Sequence, residues 1–105
     1  MRTPACTPAF CSPEAARSER PTAKSDVWGL GCTALHLLSG ALPWSAEDSA
    51  FAAMYKLAGG GRPPPPPGTS MVASAFLAEC LEPDAFSRAS SSESLDHPFL
   101  DGSLD

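Results

Sequence analysis

The strongest constraint on the fold is an apolar run at residues 25–39. Its apolar members are Val27, Trp28, Leu30, Cys32, Ala34, Leu35, Leu37 and Leu38. At helical spacing these positions occupy most of the helix circumference, and a helix of this kind must be buried on nearly every side. Ser25 or Thr22 can cap its start, and Gly40 can end it. The sequence therefore predicts a fold built around one central helix.

Three further segments favour helices that would pack around the central one. Residues 46–58 and 70–81 place apolar side chains at helical spacing, and residues 91–95 form a short segment that ends before Pro98. No segment alternates polar and apolar residues with the period of a strand. Residues 59–69 are rich in glycine and proline and predict a connection between two helices. It would consist of a flexible glycine stretch followed by a stiff polyproline II rod. We therefore expect an all-α fold without a sheet, in which two or three helices cover the central one.

The size and charge of the chain exclude several classes of protein. A chain of 105 residues forms at most one small domain with a modest core. The net charge of -5 and seven scattered basic residues argue against a nucleic-acid partner. No apolar run approaches the ~20 residues of a membrane span, and the N-terminus lacks a signal-peptide pattern. We therefore expect no membrane partner and a cytoplasmic or nuclear location.

The four cysteines are Cys6, Cys11, Cys32 and Cys80. They include no Cys-x-x-Cys pair and no histidines at the spacing of a zinc site. The pattern therefore predicts neither a metal site nor a disulfide partner. We expect four reduced thiols.

Several motifs, in order and spacing, resemble the C-terminal lobe of a protein kinase. Residues 6–14 read CTPAFCSPE and residues 25–31 read SDVWGLG; SGALPW, CL, an arginine and HPFL follow at 39–44, 80–81, 88 and 97–100. The nearest likeness is to plant MEKK-like mitogen-activated protein kinase kinase kinases. The resemblance extends over residues 1–105, a partial kinase domain of the helical C-lobe type. Residues 1–21 would then be the end of the activation segment with its Ser-Pro-Glu motif.

The resemblance also implies roles for individual residues near both ends of the chain. Thr7, Pro8 and Phe10 would belong to the loop that binds the protein substrate. Glu14 would form a structural ion pair with Arg88, stapling that loop to a distant segment, as a bidentate carboxylate–guanidinium pair can do. The alternative for these two residues is a pair of exposed, unpaired charges.

Three other residues would have structural roles. In kinases the counterpart of Asp26 also holds the catalytic loop, but no His-Arg-Asp sequence occurs in this chain. We therefore expect Asp26 only to stabilise a helix N-terminus, and Trp28 and Trp44 to lie in the core. Ala85 and Ala89 stand where kinases usually have proline, which predicts a loosened loop.

The elements with which kinases bind ATP and magnesium are not identifiable in the sequence. Gly59-Gly60-Gly61 follows no strand and precedes prolines, so it reads as a linker. The resemblance implies a serine/threonine kinase that uses ATP and Mg in its complete domain and acts on a protein substrate or partner kinase. This chain alone is expected to have no cofactor, no catalytic residue and no activity. The alternatives are a non-catalytic helical binding module that uses the rod at 63–67, and a non-functional truncated remnant.

Overall fold

The structure is a computed structural model that describes residues 8–44 and 49–100. These residues form five α-helices and one 3₁₀ turn, and none of them lies in a strand. The turn is Pro8–Phe10, and the helices are α1 (Pro13–Ala16), α2 (Ala23–Ser39), α3 (Ala50–Ala58), α4 (Met71–Cys80) and α5 (Ser91–Leu95). The all-α prediction is confirmed. The turn and α1 were not predicted, because both are too short to show a hydrophobic period.

Both predicted caps take part at the start of α2. The Thr22 hydroxyl accepts from the N–H of Lys24 at 3.2 Å, and the Ser25 hydroxyl accepts from the N–H of Thr22 at 3.0 Å. At the other end Gly40 is left-handed, with φ 75°, and its N–H donates to the carbonyl of His36. A left-handed residue at this position suits glycine because it has no Cβ to clash.

Helix α2 is the centre of the fold, as predicted, and packs against α4, α5 and the 3₁₀ turn. Trp28 and Cys32 are fully buried, and Val27, Gly31, Ala34 and Leu35 are buried beside them. The prediction of burial on nearly every side fails in the last turn, where Leu37 and Leu38 are exposed. The buried part of the helix runs from Val27 to Leu35.

Helix α3 is amphipathic, but its two largest aromatic residues lie outside the core. Ser49 caps it by accepting from the N–H of Ala52, and residues 46–48 of the predicted helix lie outside the described residues. Leu57 is fully buried, whereas Phe51 is 84% exposed and Tyr55 is 79% exposed. The buried face is therefore built mainly from small residues and Leu57.

The segment between α3 and α4 turns at Gly59 and Gly60 and then runs without helix or strand through residues 61–66. Gly60 has φ 97°, a value that suits only a residue without a side chain. Ser70 then caps α4 by accepting from the N–H of Ala73. Ser90 and Glu93 form a reciprocal capping box at α5.

The cysteine prediction is wrong at Cys11, which is disulfide-bonded. Cys32 and Cys80 are free and buried, as expected for reduced thiols. A single crosslink needs only two cysteines whose Cα atoms approach to about 5.5 Å. The sequence spacing used for the prediction does not reveal such an approach. In the described part of the chain no helix is long and apolar enough to cross a membrane.

Candidate functional site

Glu14 in α1 and Arg88 in the loop before α5 form a buried bidentate ion pair. Arg88 Nη1 donates to Glu14 Oε2 at 2.8 Å, and Nη2 donates to Oε1 at 2.9 Å. The two residues are only 4% and 1% exposed. Two parallel hydrogen bonds fix the relative orientation of the carboxylate and guanidinium planes. The pair therefore sets both the orientation of α1 against the loop and the distance between them.

The remaining donors of Arg88 are also used. Its Nε donates to the carbonyl of Glu82 at 2.8 Å, Nη1 donates a second bond to the carbonyl of Lys24 at 2.7 Å, and Nη2 donates to the carbonyl of Pro83 at 3.3 Å. With the two bonds to Glu14, all five N–H groups of the guanidinium have an acceptor. This complete set of acceptors offsets the cost of removing the charge from water.

Two residues of α2 complete the surroundings of the pair. Ser25 donates its hydroxyl hydrogen to Glu14 Oε2 at 2.8 Å while it accepts from the N–H of Thr22. The indole ring of Trp28 lies under the guanidinium, with its centroid 5.1 Å from the central carbon of Arg88. The aromatic face attracts the cation, and the indole excludes water from it. The start of α2 therefore forms one wall of the site.

The carboxyl group of Glu14 stays ionised far below its usual range. Burial by itself raises the pKa of Glu14, but the hydrogen bonds from Arg88 and Ser25 outweigh it and lower the pKa from 4.5 to about 2. The carboxylate is thus charged throughout the physiological range. Near neutrality the carboxylate exchanges no proton and keeps its charge for the bond with Arg88.

Lys24 also bonds the loop that carries Arg88. Its Nζ donates to the carbonyls of Ala85 at 3.2 Å and Phe86 at 3.3 Å, and also to the carbonyl of Arg88. Because Arg88 donates in turn to the carbonyl of Lys24, each of these two side chains binds the backbone of the other. The Lys24 ammonium and the Arg88 guanidinium can lie close together because each donates to several backbone carbonyl oxygens.

The loop before Arg88 is bonded at several points. Asp84 accepts from the hydroxyl of Ser87 at 2.8 Å, and its carbonyl accepts from the N–H groups of Ser87 and Arg88. The N–H of Ala89 donates to the carbonyl of Glu79 at 3.2 Å. Proline has no N–H to donate, so alanine at position 89 adds a bond that proline could not make.

The predicted substrate loop is described only in part. Thr7 lies outside the described residues, and Pro8 begins the 3₁₀ turn. Phe10 is half-buried, packs on the core cluster around α2, and has its ring centroid 6.4 Å from that of His36. The turn ends three residues before α1, and so lies directly beside the helix that carries Glu14.

The remaining predicted residues are divided between two places. Trp28 belongs to the site, as described above. Asp26 is exposed in the first turn of α2, and within the described ranges its carboxylate has no side-chain partner. Trp44 lies away from the ion pair, is half-buried and packs against the edge of the core. The structure thus brings together Glu14, Arg88 and Trp28.

Sequence reasoning missed the roles of Lys24 and Ser25. Ser25 was considered only as a helix cap, yet its hydroxyl also binds Glu14. Lys24 carries no motif, and its acceptors are three backbone carbonyls that any residues could supply. The sequence therefore carried no signal for this role of Lys24.

The described residues show neither a cluster of metal ligands nor a glycine run at a helix N-terminus. They contain no group of three or more His, Cys, Asp or Glu side chains placed to hold a metal ion. The only glycine run, Gly59–Gly61, follows the C-terminus of α3, where the helix dipole is negative and disfavours phosphate. We therefore assign no step of a reaction that uses ATP and Mg to these residues.

Comparison with known proteins gives a consistent assignment. The family described as Protein kinase domain matches residues 1–100. The chain is 39% identical over 98 residues to mitogen-activated protein kinase kinase kinase 18 of Arabidopsis thaliana, an alignment that covers 90% of this chain and 29% of that protein. It is 37% identical over 97 residues to mitogen-activated protein kinase kinase kinase 4 of Mus musculus, covering 90% of this chain and 6% of that protein.

A fungal relative gives the same result. The chain is 37% identical over 99 residues to the serine/threonine-protein kinase SSK22 of Saccharomyces cerevisiae, which covers 90% of this chain and 7% of that protein. The chain thus spans less than a third of the length of each of these relatives.

Proposed function

The chain belongs to the protein kinase domain family, and we propose that it is the part of a serine/threonine kinase domain that positions the protein substrate. The whole protein would transfer the γ-phosphate of ATP to a protein hydroxyl in a mitogen-activated protein kinase cascade. Two of the relatives above are named mitogen-activated protein kinase kinase kinases, and the third is named a serine/threonine-protein kinase. Residues 1–21 would be the end of the activation segment, and 59–69 a connection between two helices.

One observation carries the proposal: the buried pair of Glu14 and Arg88. A loop that binds a substrate must keep one shape, and the pair fixes α1 immediately after the turn that contains Phe10. Breaking a buried pair of this kind costs about 3–5 kcal/mol. The substrate-binding role of Thr7, Pro8 and Phe10 remains a proposal that this anchor supports.

Phosphoryl transfer would depend on residues other than those described. ATP and Mg supply the transferred group and the charge that neutralises it. Glu14, Arg88, Lys24 and Ser25 would act only by holding the substrate loop. For the partner we propose a second protein kinase as substrate, and for the location the cytoplasm or nucleus; both rest on the family and on the sequence.

The test is a kinase assay on the natural protein, purified from its source with its intact mass measured. We expect a mass several-fold above 10.9 kDa and transfer of labelled phosphate from ATP to a catalytically dead mitogen-activated protein kinase kinase. In that protein, Glu14→Gln should raise KM for the protein substrate more than KM for ATP. The 105-residue chain alone is the control and should transfer no phosphate.

Two results would contradict the proposal. An intact mass of 10.9 kDa without transfer would favour the binding module or the truncated remnant. A variant at Glu14 that alters KM for ATP and for the protein substrate equally would show that the pair does not act through the substrate loop. Broad, noncooperative thermal unfolding would single out the remnant.

A further inference from the structure

The disulfide bond of Cys11 has one available partner. Cys11 is fully buried in the core cluster around α2 and is disulfide-bonded. The sequence contains four cysteines, Cys6, Cys11, Cys32 and Cys80, and of these Cys32 and Cys80 are free. Within a single chain this leaves Cys6, which itself lies outside the described residues. We infer from this elimination that the bond joins Cys6 to Cys11.

A bond between these two cysteines would enclose the 3₁₀ turn. Residues 7–10 separate them in the sequence, and the turn is Pro8–Phe10. The turn packs against both α2 and α3. A crosslink across so short a loop removes less entropy from the unfolded chain than one across a long loop, so it adds less to global stability. We therefore expect the bond to act mainly on the local shape of the turn.

A different set of contacts holds the turn from its C-terminal side. Ser12 follows Cys11 directly and caps α1, because its hydroxyl accepts from the N–H of Ala15 at 3.2 Å. Helix α1 carries Glu14, which is paired with Arg88. These contacts involve no sulfur atom and do not change with the redox state. The disulfide is therefore the constraint on this turn that a reductant can remove.

We propose that Cys6 and Cys11 form a redox switch that sets the shape of the turn. The oxidised pair holds the turn at both ends, and reduction leaves it held at the C-terminal end by α1. In the cytoplasm and nucleus, the location proposed for this protein, disulfides are rare, and those that form are usually transient and redox-sensing. The effect on substrate binding rests on the proposed function, whereas the bond and the loosening of the turn do not.

The switch exchanges two electrons and two protons with a protein dithiol. A thiolate of the dithiol attacks one sulfur of the bond, and the S–S bond breaks as a mixed disulfide forms. The electron pair leaves on the other cysteine, which takes up a proton. The second thiolate of the dithiol then breaks the mixed disulfide, so the dithiol leaves oxidised and the remaining cysteine is protonated. The reverse exchange with an oxidised dithiol forms the bond again.

The first test uses the full 105-residue chain, equilibrated with oxidised glutathione, freed of it and unfolded in guanidinium chloride with iodoacetamide. We expect alkylation of Cys32 and Cys80 alone. The tryptic peptide 3–17, which contains Cys6 and Cys11, should be lighter by two hydrogen atoms than the same peptide after reduction. In the folded chain, dithiothreitol should speed hydrogen exchange of the amides at 9–16 about tenfold, while those of α4 change less than about twofold.

Two variants control this test. Cys6→Ser should exchange as the reduced original chain does, with or without dithiothreitol. Cys32→Ala is the matched control, because it removes a cysteine that is free, and it should keep the full response. Circular dichroism checks that both variants stay folded. Four alkylated cysteines in the oxidised chain, two copies linked by a disulfide on a non-reducing gel, or exchange at 9–16 that ignores dithiothreitol would each overturn the proposal.

The second test measures kinase activity of the whole protein in its oxidised and reduced forms. Reduction should raise KM for the protein substrate about fivefold or more and leave KM for ATP unchanged, because a looser turn positions the substrate less well. Cys6→Ser should remove this dependence. If neither form transfers phosphate, the proposed function fails, and hydrogen exchange still decides whether the switch exists. Transfer with an equal or lower KM in the reduced form would overturn the effect of the switch on substrate binding.

Discussion

Gly31 of α2 lies directly against Cys80 of α4. A Cβ placed on Gly31 would be 2.7 Å from the Cβ of Cys80 and 2.9 Å from Cδ2 of Leu81, distances that real side chains do not reach. The absence of a side chain at position 31 therefore sets how closely the two helices cross. Arg88, further along the chain from α4, separately bonds the carbonyl of Lys24 at the start of α2.

Gly31→Ala should destabilise the protein by about 1–3 kcal/mol, because the added methyl group must push α4 away from α2. Urea unfolding measures the change. Gly29→Ala is the matched control two residues earlier in the same helix, where a Cβ would meet no atom within 4 Å. It should stabilise the helix by about 0.5–1 kcal/mol. Equal effects of the two substitutions would refute the packing argument.

Glu14→Gln should lower the free energy of unfolding by about 3–5 kcal/mol, because it leaves the Arg88 guanidinium buried without its counter-charge. Arg88→Met should cost a similar amount by stranding the Glu14 carboxylate. The double variant Glu14→Gln with Arg88→Met should cost less than the sum of the two single variants, since removing both charges leaves neither one buried without its partner. Thermal unfolding followed by circular dichroism gives all three values.

Arg17 and Glu19 provide the control for this cycle, because they form an ion pair of the same chemistry at 3.1 Å on the surface. Their side chains are 39% and 55% exposed, so solvent screens the attraction. Arg17→Gln should cost no more than about 1 kcal/mol. If it cost as much as Glu14→Gln, burial would not be the source of the strength of the inner pair.

Stability should depend on pH through Glu14. Its pKa is about 2 in the folded protein against an ordinary value of 4.5, so the unfolded chain takes up the proton first as the pH falls. The stabilisation is therefore complete above about pH 5 and is lost progressively towards pH 2. The difference in unfolding free energy between the original chain and Glu14→Gln should shrink over this range. A constant difference would contradict the lowered pKa.

The sequence was sufficient to predict α2 to α5 because each of these helices carries its own boundary signals. Thr22 and Gly40 delimit α2, and Ser90 with Glu93 forms a capping box that any helix at 91–95 would use. Local chemistry of this kind does not depend on the rest of the fold. The predicted start of the helix at 46 was less secure, because Ser49 competes for the cap.

It was harder to predict which side chains are buried, and which residues contact each other, than to predict where the helices lie. The apolar residues at helical spacing on α3 include Phe51 and Tyr55, yet the helix turns Leu57 and small residues inwards, because α1 and the 3₁₀ turn pack on that side. The acceptors of Lys24 are backbone carbonyls, which have no sequence signature. Glu14 and Arg88 are 74 residues apart, so only the family resemblance, and no local pattern, suggested that they meet.

Lys24→Met should loosen the loop at 84–89, because it keeps the apolar stem but removes the ammonium that binds three carbonyls of this loop. Hydrogen exchange of the loop amides should become faster, with a loss of about 1–2 kcal/mol in local opening free energy. Lys24→Arg should restore only part of the protection. It keeps the positive charge, but a planar guanidinium cannot place one nitrogen among all three carbonyls. Unchanged exchange in Lys24→Met would show that Arg88 alone holds the loop.

Cys32 and Cys80 should be unreactive in the folded protein. Both thiols are buried; burial raises the pKa of Cys32 to about 12, and it also raises the pKa of Cys80. Only the thiolate is a strong nucleophile, so iodoacetamide at pH 8 should leave both unlabelled for as long as the chain stays folded. In guanidinium chloride both should react within minutes, and mass spectrometry counts the added groups.

The labelling rates of the two cysteines can also be compared in Gly31→Ala. The added methyl group should move α4 away from α2 beside Cys80, so Cys80 should be labelled faster than Cys32. Rapid labelling of both residues in the original chain would mean that the α2–α4 interface opens readily, which would contradict the close packing of Gly31 on Cys80.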